Sequence, residues 1–387
     1  MKVIPYGTQE IEQQDLDAVV EVLRSAWLTQ GPAIEQFEAA LMSATQSPAA
    51  IAVCNATAAL HLACMAMDLG PGDRLWTSPN TFIASANCGR YCGAAVDFVD
   101  IDPATYNMSV EALEVKLKAA ALKKQLPKIV VPVHFAGQPC DMQAIHQLSL
   151  EYGFRIIEDA AHALGASYRD EPIGNCRYSD ATILSFHPVK IITTGEGGAV
   201  LTRDLELADR IRMLRTHGIT RSPAHMKSPS EGAWYYQQTE LGLNYRITDI
   251  QAALGTSQMT RLESFIDRRR QCAAQYNSLL RETGVGLPWQ APYGRSAWHL
   301  YVIQLSGTEE RKHVFDRMRE AGILVNVHYI PVHLQPYYRD LDFQPGDFPK
   351  AEHYYSRAIT LPLYPGLTKE DQAYIANTLR SAVFAHA

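Results

Sequence analysis

Residues 49–159 alternate between short apolar segments and longer helical patterns, and this alternation restricts the fold more than any other feature of the sequence. Five strands are predicted, at 50–54, 74–77, 95–99, 129–133 and 154–158. Helices are predicted between them, at 58–69, 82–91, 110–122 and 142–152. Such alternation is typical of a mostly parallel sheet with helices on both faces, so we expect an α/β fold whose ligands bind at the carboxyl ends of the strands.

The pattern changes near residue 248, where a smaller α+β domain is predicted to begin. Its predicted elements are a long helix over 249–280, strands near 298–305 and 323–328, and helices near 309–320 and 369–383. The expected organisation is therefore an N-terminal arm and large α/β domain over residues 1–248, followed by a C-terminal α+β domain over 249–387.

The charge balance argues against proteins that bind polyanions. Lys and Arg number 35 against 41 Asp and Glu, a net charge of −6, so we expect neither nucleic acid nor an anionic membrane surface as a partner. The run at 267–270 is the one dense basic patch, and its helical context predicts a solvent-exposed face. No apolar stretch reaches the length of a membrane span, and the first six residues lack the apolar core of a signal peptide.

The cysteines indicate a reducing compartment. There are seven of them, an odd number in a long chain, which favours free thiols and a cytoplasmic location. Cys88 and Cys92 lie one helical turn apart, but no second pair with ligand spacing accompanies them. We therefore expect both to be core residues, and we expect no metal site.

A single lysine, Lys190, separates the apolar run that ends at Ser185 from a glycine-rich turn at 195–198. An ammonium group loses its hydration when it is buried between strands, so this placement is costly. The ordinary interpretation is a side chain that reaches the surface. The alternative is a lysine whose amine takes part in chemistry, and the rest of the sequence decides between the two.

Polar residues also follow two of the predicted strands. Asn55, Ala56 and Thr57 come after the first strand and open a helix, where free N–H groups and a hydroxyl would cup a phosphate; a simple helix cap is the alternative. Asp159 ends the fifth strand, and His162 follows it. The carboxylate would pair with a protonated heterocycle, cap a turn, or share a metal with His162, although no third metal ligand is evident nearby.

A phosphate cup, a carboxylate and a lysine in this order suggest one cofactor, pyridoxal 5'-phosphate (PLP). Its phosphate would take the helix N-terminus with the hydroxyls of Thr57 and Ser185. Asp159 would keep the pyridine nitrogen protonated, and the Lys190 amine would condense with the aldehyde. Phe82 follows the second strand and would lie flat on the ring. The glycine fingerprint of nicotinamide dehydrogenases is absent, which disfavours that class.

Nine stretches spread over nearly the whole chain carry a resemblance to a known family. They are "WLTQGP", "CNATAALHLA", "SPNTFIASAN", "VPVHFAGQPCDM", "IIEDAAHALGA", "SFHPVKIITTGEGGAVLT", "LRTHGI", "LGLNYRITDIQAALG" and "VHYIPVHLQPYY". The chain resembles the DegT/DnrJ/EryC1/StrS sugar-nucleotide aminotransferases, which are fold type I PLP enzymes. One branch of that family has histidine in place of the lysine and removes a sugar hydroxyl, and the presence of Lys190 argues against that branch.

The resemblance implies roles for individual residues. Lys190, Asp159 and His162 would be the catalytic set, with His162 near the phenolic oxygen of the cofactor and the freed Lys190 as the general base of the proton shift. The residues expected to bind the cofactor are Ala56, Thr57, Phe82, Asp159, His162, Ser185, Lys190 and Asn244. Because Asn244, in "GLNYR", would reach the phosphate held by a neighbouring subunit, the resemblance implies a homodimer with sites shared across the interface.

Within the family, "SFHPVKIITTGEGGAV" and "GILVNVHYIPVHLQPYY" resemble the aminotransferases of pseudaminic acid biosynthesis. This implies amino transfer from L-glutamate to C4 of a UDP-linked 4-keto-6-deoxy-N-acetyl-hexosamine of the L-arabino configuration, giving UDP-4-amino-4,6-dideoxy-N-acetyl-β-L-altrosamine. The residues then expected to line the sugar-nucleotide pocket are Tyr6, Trp27, Leu28, Thr29, Asn326, Val327, His328 and Tyr329.

Three alternatives stay open at this point. The first is an aminotransferase of the same family that acts on another nucleotide keto-sugar, at C3 or at C4 of the D-xylo epimer. The second is a PLP-dependent sugar dehydratase. The third is a non-enzymatic PLP-binding regulatory domain joined to a DNA reader, and the acidic charge balance and the lack of a basic helix-turn-helix segment count against it.

Overall fold

The computed structural model describes residues 2–307 and 310–384. Its strands are β1 (Ile4–Pro5), β2 (Ala49–Val53), β3 (Arg74–Thr77), β4 (Ala95–Phe98), β5 (Ile129–Val131), β6 (Arg155–Asp159), β7 (Ser167–Tyr168), β8 (Glu171–Pro172), β9 (Ala181–Ser185), β10 (Gly198–Thr202), β11 (Ile219–Thr220), β12 (Gln237–Gln238), β13 (Gly294–Arg295), β14 (Tyr301–Gln304), β15 (Ile323–Leu324) and β16 (Ala358–Leu361).

Most of the helices lie between these strands. They are α1 (Gln13–Arg24), α2 (Pro32–Thr45), α3 (Ala56–Ala66), α4 (Ala84–Tyr91), α5 (Val110–Leu122), α6 (Met142–Tyr152), α7 (Leu205–Leu214), α8 (Asp249–Met259), α9 (Leu262–Leu279), α10 (Glu310–Glu320), α11 (Pro336–Arg339), α12 (Pro349–Arg357) and α13 (Lys369–Phe384). Among the described residues, no helix combines the length and the apolar character needed to cross a membrane.

A seven-stranded sheet with the order β2-β10-β9-β6-β5-β3-β4 forms the centre of the large domain. Strand β10 runs antiparallel to both of its neighbours, and the pairs from β9 through β4 are parallel. The prediction of an α/β fold with a mostly parallel sheet is therefore confirmed. Because only β10 is reversed, the other six strands present their carboxyl ends at one edge of the sheet.

Three predicted elements have the limits that the structure shows, namely strand β3 and helices α5 and α6. Ser109 and Asp141 cap the two helices by accepting the N–H groups of Ala112 and Ala144. Apolar residues of successive helices then cover both faces of the sheet, in two separate clusters of buried side chains.

The predicted helix over 249–280 is wrong in one respect, because the structure contains two helices there. Helix α8 ends at Met259, and Arg261 leaves helical geometry with φ of −109° and ψ of 7°. The Arg261 guanidinium forms ion pairs with Glu12 and Asp15 of the N-terminal segment. These ion pairs hold the junction to the N-terminal segment at the point where the helix breaks.

The expectation that 267–270 forms a solvent-exposed face is also wrong in part. Arg269 is 1% exposed and donates to the backbone oxygens of Trp298, His299 and Leu363. Its neighbour Arg268 is exposed, as predicted. Position 269 faces inward with Phe265 and Cys272, one helical turn away on either side, so the helical period buries one arginine of the run.

The C-terminal segments form a third apolar core around β14, β16, α10 and α13. The predicted strand over 298–305 is shorter, as β14, and the one over 323–328 is reduced to β15. Helix α8 packs against α1 and α2 of the large domain, and α9 contributes Phe265 to the large core and Tyr276 to the C-terminal one. The division at 248 stays a prediction.

Candidate active site

A cavity of about 570 Å³ opens at the carboxyl ends of the parallel strands. Twelve of the sixteen residues predicted to bind cofactor or sugar line it: Tyr6, Ala56, Thr57, Phe82, Asp159, His162, Ser185, Lys190, Asn326, Val327, His328 and Tyr329. The chain thus brings segments that are more than 300 positions apart in sequence into one cavity. This agrees with the rule that α/β sheets bind ligands at the carboxyl edge.

The start of helix α3 forms one wall of this cavity. Asn55 caps the helix by accepting the N–H of Ala58 at 2.8 Å, so the N–H groups of Ala56 and Thr57 keep no partner among the described hydrogen bonds. Gly198 allows β10 to approach this turn, because a Cβ there would lie 2.5 Å from the Ala56 nitrogen. Two free N–H groups at a helix N-terminus and a hydroxyl suit a phosphate group.

Asp159 lies at the end of β6 and is 6% exposed. Its Oδ1 accepts the N–H of Ala161 at 3.1 Å, and its Oδ2 accepts the hydroxyl of Ser85 at 2.6 Å. No salt bridge of the described residues includes this carboxylate. A buried carboxylate without an ionic partner can stabilise a cationic group that enters the cavity.

His162 lies in the cavity as a neutral ring. Its Nδ1 accepts the N–H of Ala136 at 3.3 Å, so its proton is on Nε2, which lies 3.2 Å from the hydroxyl of Tyr329. Burial, with the charge of Lys190 as a smaller cause, lowers the pKa of His162 well below its usual value. A neutral imidazole with its proton on Nε2 presents a hydrogen-bond donor at that side of the cavity.

Lys190 lies in the loop between β9 and β10 and is partly buried. Burial lowers the pKa of its ammonium from 10.5 to about 8, although the carboxylate of Asp159 opposes the shift. Lys190 also lines the cavity, which favours a lysine whose amine takes part in chemistry over one that only reaches the surface. Its amine is neutral in a far larger fraction of molecules near neutral pH than an ordinary lysine is, and a neutral amine is the nucleophilic form.

Residues 326–329 of the C-terminal segments and Tyr6 of the N-terminal segment form the opposite wall. The backbone of Asn326 is tied to Thr360, and the Nδ1 of His328 lies 2.8 Å from the Thr360 hydroxyl. Burial lowers the pKa of His328 to about 3, so its ring is neutral at physiological pH. This wall offers neutral hydrogen-bonding groups, which suit the hydroxyls of a sugar.

Four of the residues predicted to bind cofactor or sugar lie outside this cavity. Trp27 and Leu28 are exposed on the surface, and Thr29 forms an isolated bridge with Thr248. Asn244 is exposed and does not line this cavity. The family resemblance implies that Asn244 reaches the phosphate cup of a neighbouring subunit, and its position outside the cavity of its own chain leaves that role a prediction.

Several residues of the site were not predicted. Thr81, His187 and Glu196 line the cavity, Ser85 binds Asp159 from behind, and the ring of His299 lies 4.3 Å from that of His162. Thr81 and Ser85 belong to "SPNTFIASAN", a polar stretch that follows a predicted strand, so both could have been predicted as site residues in the same way as Asp159. His299 follows no strand of the large sheet, so nothing in the sequence pattern connected it with this edge.

The side chains that line the cavity fit PLP. Free backbone N–H groups would hold its phosphate, the Asp159 carboxylate would pair with its protonated ring nitrogen, and the Lys190 amine would meet its aldehyde. Among residues 2–307 and 310–384, no group of three histidine, cysteine or carboxylate side chains could hold a metal ion. Cys88 is buried as expected, whereas Cys92 is only partly buried.

Comparisons with known proteins agree with this geometry. The sequence model of the DegT/DnrJ/EryC1/StrS aminotransferase family matches residues 9–380. The spore coat polysaccharide biosynthesis protein SpsC of Bacillus subtilis is 39% identical over 386 residues, which are 98% of this chain and 97% of that protein.

Two solved structures have the same fold over essentially the whole chain. Spr1654 of Streptococcus pneumoniae, a candidate sugar aminotransferase in its PLP form, is 30% identical with a TM-score of 0.90 and covers 100% of both chains. PseC of Helicobacter pylori, an aminotransferase involved in the biosynthesis of pseudoaminic acid, is 28% identical with a TM-score of 0.90, over 99% of this chain and 100% of that one. The cofactor of the chain is pyridoxal phosphate.

The lowered pKa of Lys190 predicts how fast the cofactor-free protein captures PLP. Only the neutral amine attacks an aldehyde, so the rate of covalent capture, measured by borohydride trapping at intervals, should rise with pH and reach half its maximum near pH 8. Peptide mapping should place the reduced adduct on Lys190. A half-maximum at pH 10 or above, or an adduct on another lysine, would contradict the assignment.

Proposed function

The chain belongs to the DegT/DnrJ/EryC1/StrS aminotransferase family, and from this premise we propose a specific reaction for it. The protein is a PLP-dependent sugar aminotransferase. We propose that it moves an amino group from L-glutamate to C4 of a UDP-linked 4-keto-6-deoxy-N-acetyl-hexosamine of the L-arabino configuration. The product would be UDP-4-amino-4,6-dideoxy-N-acetyl-β-L-altrosamine, an intermediate of pseudaminic acid biosynthesis.

The observation that carries the amino-transfer chemistry of this proposal is the meeting of Lys190, Asp159 and the α3 phosphate cup in a single cavity. When bound, the cofactor withdraws electrons from the carbon that carries the transferred amine. Lys190, with a pKa of about 8, is suited both to take a proton from that carbon and to return it. Asp159 would hold the ring nitrogen protonated, and His162 would donate its Nε2 proton to an oxygen of the ring.

The substrate assignment is supported by the C-terminal wall and by likeness to one relative. The wall at 326–329 carries neutral donors and acceptors. These groups would form hydrogen bonds with sugar hydroxyls and would not attract the charged phosphates. PseC matches the chain over 99% of its length with a TM-score of 0.90. The diphosphate takes no part in the bond changes, so its contribution to the binding free energy should be nearly uniform along the reaction.

A second candidate is amination of another nucleotide keto-sugar, at C3 or at C4 of the D-xylo epimer. The chain is 39% identical to SpsC, a protein of spore coat polysaccharide biosynthesis, and 28% identical to PseC, so a role in another polysaccharide is the second candidate. Because PLP, Lys190 and Asp159 would act alike on both, only the sugar-binding wall distinguishes the two candidates.

We also propose a cytoplasmic homodimer. Apolar side chains stand exposed along α1 and the turn after it, including Leu16, Val20, Leu23 and Trp27. A second subunit would cover such a stripe and bring Asn244 of one chain to the phosphate cup of the other. All seven cysteines are free thiols, which suits a reducing compartment.

Competition between two keto-sugars tests the substrate proposal. With the cofactor carrying the amine, the UDP-linked L-arabino 4-keto sugar and its D-xylo epimer are offered together, and NMR identifies the product. We expect strong preference for the L-arabino compound with amination at C4. Preference for the D-xylo epimer, or amination at C3, would refute this substrate and leave the family unchanged.

Subunit mixing tests the shared site. Asn244→Ala and Lys190→Ala proteins should each be impaired, but a heterodimer would contain one site with both Lys190 and Asn244 intact. Activity should therefore reappear after the two proteins exchange subunits, up to about a quarter of the wild-type value per subunit, since mixed dimers form half of a random population and carry one intact site each. No recovery after verified exchange would show that each site is built within one chain.

A further inference from the structure

Ser85 contacts the central carboxylate of the site from outside the cavity. It lies in the first turn of α4, is fully buried, and donates its hydroxyl proton to Oδ2 of Asp159 at 2.6 Å. It does not line the cavity. Any effect of Ser85 on a bound molecule must therefore pass through a neighbour that lines the cavity, and these neighbours are Asp159, Thr81 and Phe82.

The direction of the neighbouring hydrogen bond follows from the number of protons. A hydroxyl carries a single proton, and the ionised Asp159 can only accept. The Ser85 proton has two acceptors within reach, Oδ2 of Asp159 at 2.6 Å and the backbone oxygen of Phe82 at 3.3 Å, and the shorter bond goes to the carboxylate. Because neither bond leaves a second proton, Thr81 is the donor at the 2.8 Å contact between the two hydroxyls. Thr81, Ser85 and Asp159 form a chain in which every bond points toward the carboxylate, and bonds in such a chain polarise one another.

The second oxygen of the carboxylate is fixed independently. Its Oδ1 accepts the N–H of Ala161 from the turn after β6, whereas Ser85 reaches Oδ2 from α4. One donor on each oxygen fixes the plane of the carboxylate, and lone pairs remain for a group in the cavity. The turn that carries Ser85 also carries Phe82, whose backbone oxygen accepts the Ser85 N–H at 3.3 Å.

We propose that Ser85 is a positioning residue for the cofactor: it holds the Asp159 carboxylate in the orientation that would face the pyridine nitrogen, with Thr81 as its own donor. The proposal rests on the assignment of Asp159 as the partner of that nitrogen. The segment 81–85 would then position the cofactor ring as a whole. Phe82 would contact the face of the ring, and Ser85 would orient the carboxylate that pairs with the ring nitrogen.

The test compares two cofactors that differ at one atom. In 1-deaza-pyridoxal 5'-phosphate a C–H replaces the ring nitrogen, so Asp159 has nothing to pair with. The ratio of dissociation constants for the deaza compound and for PLP reports that pairing, and absorbance titration of the cofactor-free protein measures both. We expect Ser85→Ala to reduce this ratio about tenfold, the effect of losing one charge-assisted hydrogen bond.

Ser47→Ala is the matched control. Ser47 is 5% exposed and donates only to backbone oxygens, those of Ala49 and Thr202. The Ser47→Ala variant therefore loses the hydrogen bond of a buried serine that lies away from the site. Its ratio should equal that of the wild-type protein. If Ser85→Ala does not fold, Thr81→Val can be used instead, because it removes the hydroxyl that donates to Ser85. This variant should lower the ratio of dissociation constants by a smaller factor, and Thr81→Ser should keep the wild-type ratio.

The Asp159→Asn variant distinguishes the proposed role of Asp159 from the proposed role of Ser85. If this variant keeps the wild-type ratio, Asp159 does not pair with the nitrogen, and the proposed role of Asp159 fails. If Asp159→Asn lowers the ratio while Ser85→Ala leaves it unchanged or raises it, the role of Asp159 stands and the inference about Ser85 is overturned. Equal weakening of both cofactors by Ser85→Ala would likewise mark a purely structural residue.

Discussion

The buried carboxylate of Asp159 is the constraint on which the site depends. It is 6% exposed, and the described salt bridges do not include it. An ionised group in such a place needs a positive partner, and Lys190 is the cation whose charge acts on it across the cavity. Burial lowers the pKa of Lys190 itself to about 8, so it is a weaker ionic partner than an ordinary lysine. A protonated heterocycle would add a positive charge beside Asp159, which is why the same cavity suits PLP and transamination.

The topology of the sheet explains how these groups come together. Strands β2, β6 and β9 end at the same edge, and they carry the phosphate cup, Asp159 and Ser185. The reversed strand β10 turns the chain back at that edge, so the loop with Lys190 stays beside it. Gly198 lets this strand approach the start of α3 closely. The C-terminal segments then close the cavity with groups whose neutrality follows from their burial.

Much of this arrangement could be predicted from the sequence, because it depends on local patterns. Alternating apolar periods gave the sheet, and polar residues just after strands gave Asp159 and Lys190. Contacts between distant segments could not be predicted in the same way. Ser85 reaches a carboxylate 74 positions away, and Arg269 is buried because three backbone oxygens of other segments surround it. The break before α9 likewise depends on Arg261 pairing with the N-terminal segment.

The most direct measurement of the central claim is the first half-reaction alone. The protein in its PLP form is mixed with L-glutamate in the absence of any sugar, and absorbance and 2-oxoglutarate are followed together. With glutamate in excess we expect conversion of the cofactor to its amine form, with one 2-oxoglutarate released per Lys190 site. A cofactor that stays in its aldehyde form, with no 2-oxoglutarate released, would contradict this claim.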